Sequence, residues 1–237
     1  PQCRSKENDP LRARAHTRKF KSDNEEILLL NIGGRQKRKG WMNVDVLDEP
    51  WVDVVAHMDD LWMFANESVT AIYSSHTLEH VPYNNVEAPV TAGGRVTVTS
   101  VLAEWRRVLR PGALVVVSVP DLPTLARLHL NASNTPQDRM TVMRMMFGGQ
   151  TDEFDFHYVG FNEELLAHYL HQASFCNIQR IHDAKLFHDS STIVFHDVAI
   201  SLTLQATACR IADRFDNTAA ANDIHVELAY NTLRPLS

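Results

Sequence analysis

Apolar and polar positions alternate in short blocks from Ile27 onward, and the period of the alternation changes along the chain. Apolar or alternating blocks at 27–32, 42–46, 52–56, 70–74, 113–119 and 193–204 predict strands. A helical period governs 99–109, where Val101, Leu102, Trp105, Val108 and Leu109 share one face. Arg106, Arg107 and Arg110 crowd its last turn, where positive charge suits the helix dipole, and Pro111-Gly112 stops it. Residues 162–173 carry a second helical pattern. The run Ala113 to Val119 is almost wholly apolar and rich in valine, the mark of a parallel strand covered on both faces, and it breaks at Pro120-Asp121. Buried strands alternating with helices predict a doubly wound α/β sheet.

The other segments divide the chain. Residues 1–22 are polar and basic and read as a solvated extension or an arm over the site. The main domain is expected over 23–205. Residues 83–98 read as a loop or flap, and 121–160 as helices and loops beside the ligand edge of the sheet. The methionines Met140, Met143, Met145 and Met146 in the latter segment are expected to fill core. Residues 206–237 are a C-terminal extension without a clear pattern.

Composition narrows the function classes. The chain has 237 residues, 44% hydrophobic and 22% charged, as in globular domains. A net charge of -6 argues against nucleic acid as a partner. No apolar run is long enough for a membrane span, and no secretion-signal pattern opens the chain. Cys3, Cys176 and Cys209 read as three isolated thiols without a C-x-x-C pair, which suits a reducing, cytoplasmic setting.

Two stretches carry candidate chemistry. In Glu26–Asp45 an apolar run ends in Gly33-Gly34, and a second apolar segment ends at Asp45. A strand running into a glycine turn, followed by a strand ending in an acid, is how open α/β sheets hold an adenosine. The acid comes too early for the dinucleotide fingerprint and a third glycine is missing, so a nicotinamide enzyme is disfavoured. The second stretch, Ala71–Pro82, contains His76-Thr77-Leu78-Glu79-His80, an H-x-x-E-H pattern. Read as a zinc hydrolase it needs a helix and a third ligand. Here a strand leads into the motif, Pro82 follows it, and no third-ligand helix is evident, so no metal ligand set is assigned. The plainer reading has these polar residues closing a strand end.

Taken together, LLLNIGG, GWMNVDV, SVTAIYSSHTLEHV and EWRRVLRPGALVVVSVPDL resemble class I S-adenosylmethionine-dependent methyltransferases. The likeness is to the bacterial-type branch with L-N-L-G-C-G, G-W-x-N-V-D, S-S-H-x-L-E-H and W-x-R-V-L-x-P-G-G. FGGQTDEFDFHYVGFNEELL and DVAISLTLQA extend the resemblance over about 26–205. It implies a seven-stranded, mostly parallel sheet with antiparallel strand 7, an abbreviated first crossover, and S-adenosyl-L-methionine across the C-terminal strand edges. Asn31, Gly33 and Gly34 would match the turn at the methionine portion, and Asp45 the ribose acid. Met58 and Asp59 would lie at the adenine, and Ser75 and His76 along the cofactor. Arg35 departs from the pattern where it has a last glycine, and His57 where an acid often follows strand 3.

An oxygen acceptor must lose a proton, and His80, His157 and Asp121 are the candidate bases, His80 foremost. The branch suggests a hydroxyl on a small-molecule or saccharide substrate, without nucleic acid or membrane. A binding or scaffold protein with this fold is the competing reading.

Overall fold

The computed structural model describes residues 27–83, 90–91 and 94–210. β1 (Leu29–Ile32) runs parallel to β2 (Trp41–Asp45) on one side and β4 (Val69–Ser75) on the other. β3 (Val54–Val55) flanks β2, and β5 (Leu109–Pro120) flanks β4, again parallel. β7 (Ser201–Ala208) inserts between β5 and β6 (Phe175–Ile181), antiparallel to both. The seven-stranded order is β3-β2-β1-β4-β5-β7-β6, the expected Rossmann-like methyltransferase architecture.

α1 (Val98–Val108) starts on a capping box made by Thr97 and Ser100. It buries Val98, Val101, Leu102, Trp105 and Val108, the face the sequence period marks out. Trp105 is fully buried, and its indole N–H donates to the Met58 carbonyl at 2.9 Å. α4 (Glu163–Gln172) is capped by Asn162 and buries Leu166 and Leu170 in the same core. Ile72, Val115 and Val117 face that core, whereas Tyr73 and Val116, one position along, pack with Phe187. A strand alternates its side chains, so these sets lie on opposite faces of the sheet. α2 (Leu122–Leu130) and α3 (Pro136–Phe147) form a smaller cluster of Leu125, Leu128, Val142 and Ile200.

Several expectations are corrected. Residues 193–204 do not form one strand. His196 and Asp197 sit at φ 47° and 63°, turning Val194–Phe195 back on Val198–Ala199 before β7 begins. β6 has no clean alternation and was not among the strands read from the pattern; its neighbour β7 supplies its partners. Cys176 and Cys209 are not isolated thiols. The antiparallel closure of β6 on β7 brings their Cα atoms to 5.2 Å, and they form a disulfide. Of the Met stripe, Met145 and Met146 pack on the small cluster, but Met140 and Met143 are exposed, because α3 turns only one side to α2. The 1–22 extension, most of 206–237, and residues 84–89 and 92–93 of the flap lie outside the described residues; Val90–Thr91 pairs antiparallel with Gly94–Arg95. Among the described residues no helix is long and apolar enough to cross a membrane.

The parallel strands β1 and β2 are joined by residues 33–40 with no helix between them. One side chain holds this short connection. Asn43 is fully buried, accepts from Asn31 Nδ2 at 3.0 Å, and donates to the carbonyls of Gln36 and Trp51 at 3.1 and 3.0 Å. It thereby ties the β1–β2 and β2–β3 connections to the strand between them. Asn43→Leu would strand those partners and should lower stability by about 2–4 kcal/mol, at roughly 1–3 kcal/mol per buried unpaired group. Urea unfolding checks this, and a loss under about 0.5 kcal/mol would show that the amide is dispensable.

Candidate active site

The C-terminal ends of β1, β2 and β4 open into a cavity of about 680 Å³. Open α/β sheets bind ligands at this edge, and the volume is that of a small-molecule site. Asn31, Gly33, Gly34, Asp45, Met58, Ser75 and His76 all line it, and so do His80 and His157. Asp59 and Asp121 do not. Asp59 turns its carboxylate to His57 Nδ1 at 2.7 Å, and His57 itself faces the cavity. Asp121 is buried at the start of α2, where Thr124 Oγ1 donates to it at 3.0 Å and Arg180 at 3.2 Å.

The glycine turn is shaped from within the protein. Gly33 adopts φ +75°, and a Cβ there would stand 2.1 Å from Thr77 Oγ1. A Cβ on Gly34 would stand 1.9 Å from the Asn31 amide. Both glycines are therefore demanded by the closure of β1 on its neighbours, before any ligand is considered. Arg35, where the pattern has a further glycine, lines the cavity. At the end of β2 the Asp45 carboxylate accepts the Leu47 N–H at 2.9 Å, which fixes it at the cavity wall.

A second wall comes from a segment that the sequence pattern did not single out. Asp189 accepts from Tyr73 at 3.0 Å, from Ser75 at 3.0 Å and from the Ser191 N–H at 2.9 Å. Burial pushes the Tyr73 phenol above its usual range, so it donates. Gln36 and Arg38 reach across to the carbonyls of His188 and Leu186, stitching the 33–40 turn to this segment. Asp189 follows β6 in an irregular stretch and belongs to no motif.

The far end of the cavity holds the H-x-x-E-H residues, rearranged. Only Leu78–His80 is helical, as a single 3-10 turn. His76 precedes it at φ 49° and its Nε2 is 2.8 Å from Ser201 Oγ, so His76 and His80 do not share a helix face as the zinc pattern would require. Tyr158 N–H donates to the Glu79 carbonyl at 2.8 Å, which docks the 152–158 segment here. Asp155 shapes that segment by accepting from Thr151 Oγ1 at 2.7 Å, and Gly148 is needed because a Cβ would stand 2.2 Å from the Asp155 carbonyl. His157 is thus delivered beside Glu79, with Nε2 3.8 Å from Oε1, and its ring meets that of His80 edge-on at 4.7 Å.

The electrostatics of this cluster follow from burial. Glu79 is fully buried, and burial raises its carboxyl to about 8. Burial, then the neighbouring His157, pushes His76 down to about 4. Burial, then His80, does the same to His157, also to about 4. His80 is lowered as well, chiefly by burial. At neutral pH these imidazoles are uncharged. His80 Nδ1 donates to the Phe156 carbonyl at 3.1 Å, leaving Nε2 with its lone pair.

A family model described as a methyltransferase domain matches residues 16–117. That match covers less than half of the chain and takes in β1 to β4 and α1, including the strands whose ends open into the cavity. None of the curated proteins matches the chain. Among solved structures, a 1,6-didemethyltoxoflavin-N1-methyltransferase from Burkholderia thailandensis is 15% identical, with a TM-score of 0.46 over 77% of this chain and 71% of that one. A methyltransferase from Archaeoglobus fulgidus is 12% identical, with a TM-score of 0.46 over 76% of this chain and 86% of that one. The CurJ carbon methyltransferase is 10% identical with a TM-score of 0.46; the match covers 80% of this chain but spans only half the length of that one.

The glycine turn can be tested without any ligand. Gly33→Ala should lower stability by more than about 1–2 kcal/mol, from left-handed strain plus the clash with Thr77. Gly40→Ala, at φ +85° in open space, should cost only the strain. A Gly33→Ala, Thr77→Ala cycle should return a coupling of about 0.5–3 kcal/mol by thermal or urea unfolding. Additive effects would mean that Thr77 yields freely.

Proposed function

We propose that this domain transfers the methyl group of S-adenosylmethionine to a hydroxyl of a small-molecule or saccharide acceptor. The observation that carries the reading is the cavity itself. It is lined together by the glycine turn, the β2-end acid, the β4-end polar residues, and His80 and His157. The donor set suits the cofactor. Asp45 at the end of β2 offers an acceptor for ribose hydroxyls, Arg35 offers positive charge for a carboxylate, and Asn31 Oδ1 is buried with no hydrogen-bond partner.

When bound, S-adenosylmethionine supplies a methyl carbon on a sulfonium, which an acceptor oxygen attacks in line as the carbon–sulfur bond breaks onto sulfur. The chain's own part is positioning and the removal of one proton. Phe154 and Phe156 from the 152–158 segment line the cavity beside His80 and His157, so the acceptor enters along this segment and loses its proton at the histidine end.

Calorimetry with S-adenosylhomocysteine tests the cofactor half. Binding is expected, and Asp45→Ala should weaken it by about 1–3 kcal/mol, the scale of hydrogen bonds to a charged group. A folded protein that does not bind the product would favour the scaffold reading. His80→Asn should leave that affinity near normal and lower the transfer rate by roughly 10²–10⁴ once an acceptor is found. Full turnover in that variant would remove His80 from the reaction.

A further inference from the structure

Glu79 is the least expected residue in the fold. Its side chain is 1% exposed, and neither carboxyl oxygen has a hydrogen-bond partner. Two imidazole nitrogens flank it, His76 Nδ1 at 3.7 Å and His157 Nε2 at 3.8 Å, both beyond hydrogen-bond length. A buried carboxyl without a partner is costly and calls for a compensating group. We infer that Glu79, His80 and His157 form a binding site for a divalent transition-metal cation at the acceptor end of the cavity.

The geometry is that of a donor set. One ligand atom from each of the three residues lies within 4.8 Å of the others. Metal–nitrogen and metal–oxygen bonds of about 2.0–2.2 Å put neighbouring ligand atoms about 3–4 Å apart, so the 3.8 Å from Glu79 Oε1 to His157 Nε2 admits a cation with little movement. Two imidazoles and one carboxylate are a common ligand set for zinc and for other divalent transition metals with open positions. The Phe156 carbonyl holds His80 Nδ1, which leaves Nε2 as the nitrogen with a lone pair for a cation. His80 and His157 line the cavity while Glu79 lies behind them, so the open coordination position faces the acceptor. His76, bonded to Ser201, stays outside the set.

The role of the cation rests on the methyl-transfer reading, although its binding does not. A cation held there would polarise a coordinated acceptor hydroxyl, whose O–H bond would break with the proton passing to water and the electron pair staying on oxygen, and His80 would then act as ligand in place of base.

The test uses the full chain without a histidine tag, stripped by a chelator and titrated with Co²⁺, then with Zn²⁺ in competition. A visible Co²⁺ band saturating at about one cation per chain, displaced by Zn²⁺, is expected. Glu79→Gln and His80→Asn should each weaken binding by at least roughly 10–100-fold, and His171→Asn on the exposed side of α4 should not. If Glu79→Gln fails to fold by circular dichroism, His80→Asn carries the test. No saturable band, or a band that both variants keep at full affinity, overturns the inference. S-adenosylhomocysteine calorimetry on the same samples separates the readings: product binding without cation binding sinks only the metal site, and loss of both sinks methyl transfer too.

Discussion

The ligand edge of this sheet depends on one buried amide. Parallel strands are usually joined by a crossover of a dozen or more residues, most often a helix, which covers the sheet and spaces the strands. Between β1 and β2 there is only the 33–40 turn, and between β2 and β3 only 46–53. Neither connection brings a hydrophobic face of its own. Asn43 holds them through hydrogen bonds to Gln36 and Trp51, and Asn31 beside it completes the pair across the strands. Gly34 has to be glycine because the Asn31 amide fills the space above it. The glycine turn is thus positioned by polar contacts in the sheet, where a helix would ordinarily fix it by packing.

A missing crossover helix leaves a sheet face to be covered. The 182–193 segment covers it from far along the chain. Phe187 stacks on Tyr73 with ring centroids 4.9 Å apart and meets Trp41 edge-on at 5.4 Å. The same segment places Asp189 over the end of β4, where Tyr73 and Ser75 both donate to it. Covering the apolar face and building the cavity wall are therefore one event. Gln36 and Arg38 bond the segment back to the short turn it compensates for.

The parts of the fold set by period were readable from the chain. β5 is a run of valines, and α1 repeats its apolar face on Trp105, so their burial follows directly from pattern. Much of the cavity lining at the ends of β1, β2 and β4 was readable for the same reason, since strand ends are marked by glycine and acid. What escaped reading depends on contacts between distant residues. β6 is an edge strand with exposed residues on both faces, and its alternation is lost. The Cys176–Cys209 bond joins residues 33 apart in sequence that only β7 brings together. Asp189 and the arrival of His157 beside Glu79 depend on where irregular segments dock, which no local period encodes.

The histidine end shows how such docking changes the meaning of a motif. As a linear pattern, His76, Glu79 and His80 ask for a helix that Pro82 and the strand before them forbid. In three dimensions His76 Nε2 turns to Ser201 while its Nδ1 stays 3.7 Å from Glu79, and His157 from another segment joins Glu79 and His80 in its place. Tyr158 bonding the Glu79 backbone sets that exchange. The carboxyl at its centre has no hydrogen-bond partner, and burial makes its ionised form costly. A sequence selected for stability alone would place an apolar side chain at such a position. A carboxyl kept there, behind two neutral imidazoles that line the cavity, is accounted for by a group that binds to it, and a cation shared with His80 and His157 meets the charge, the spacing and the open side at once.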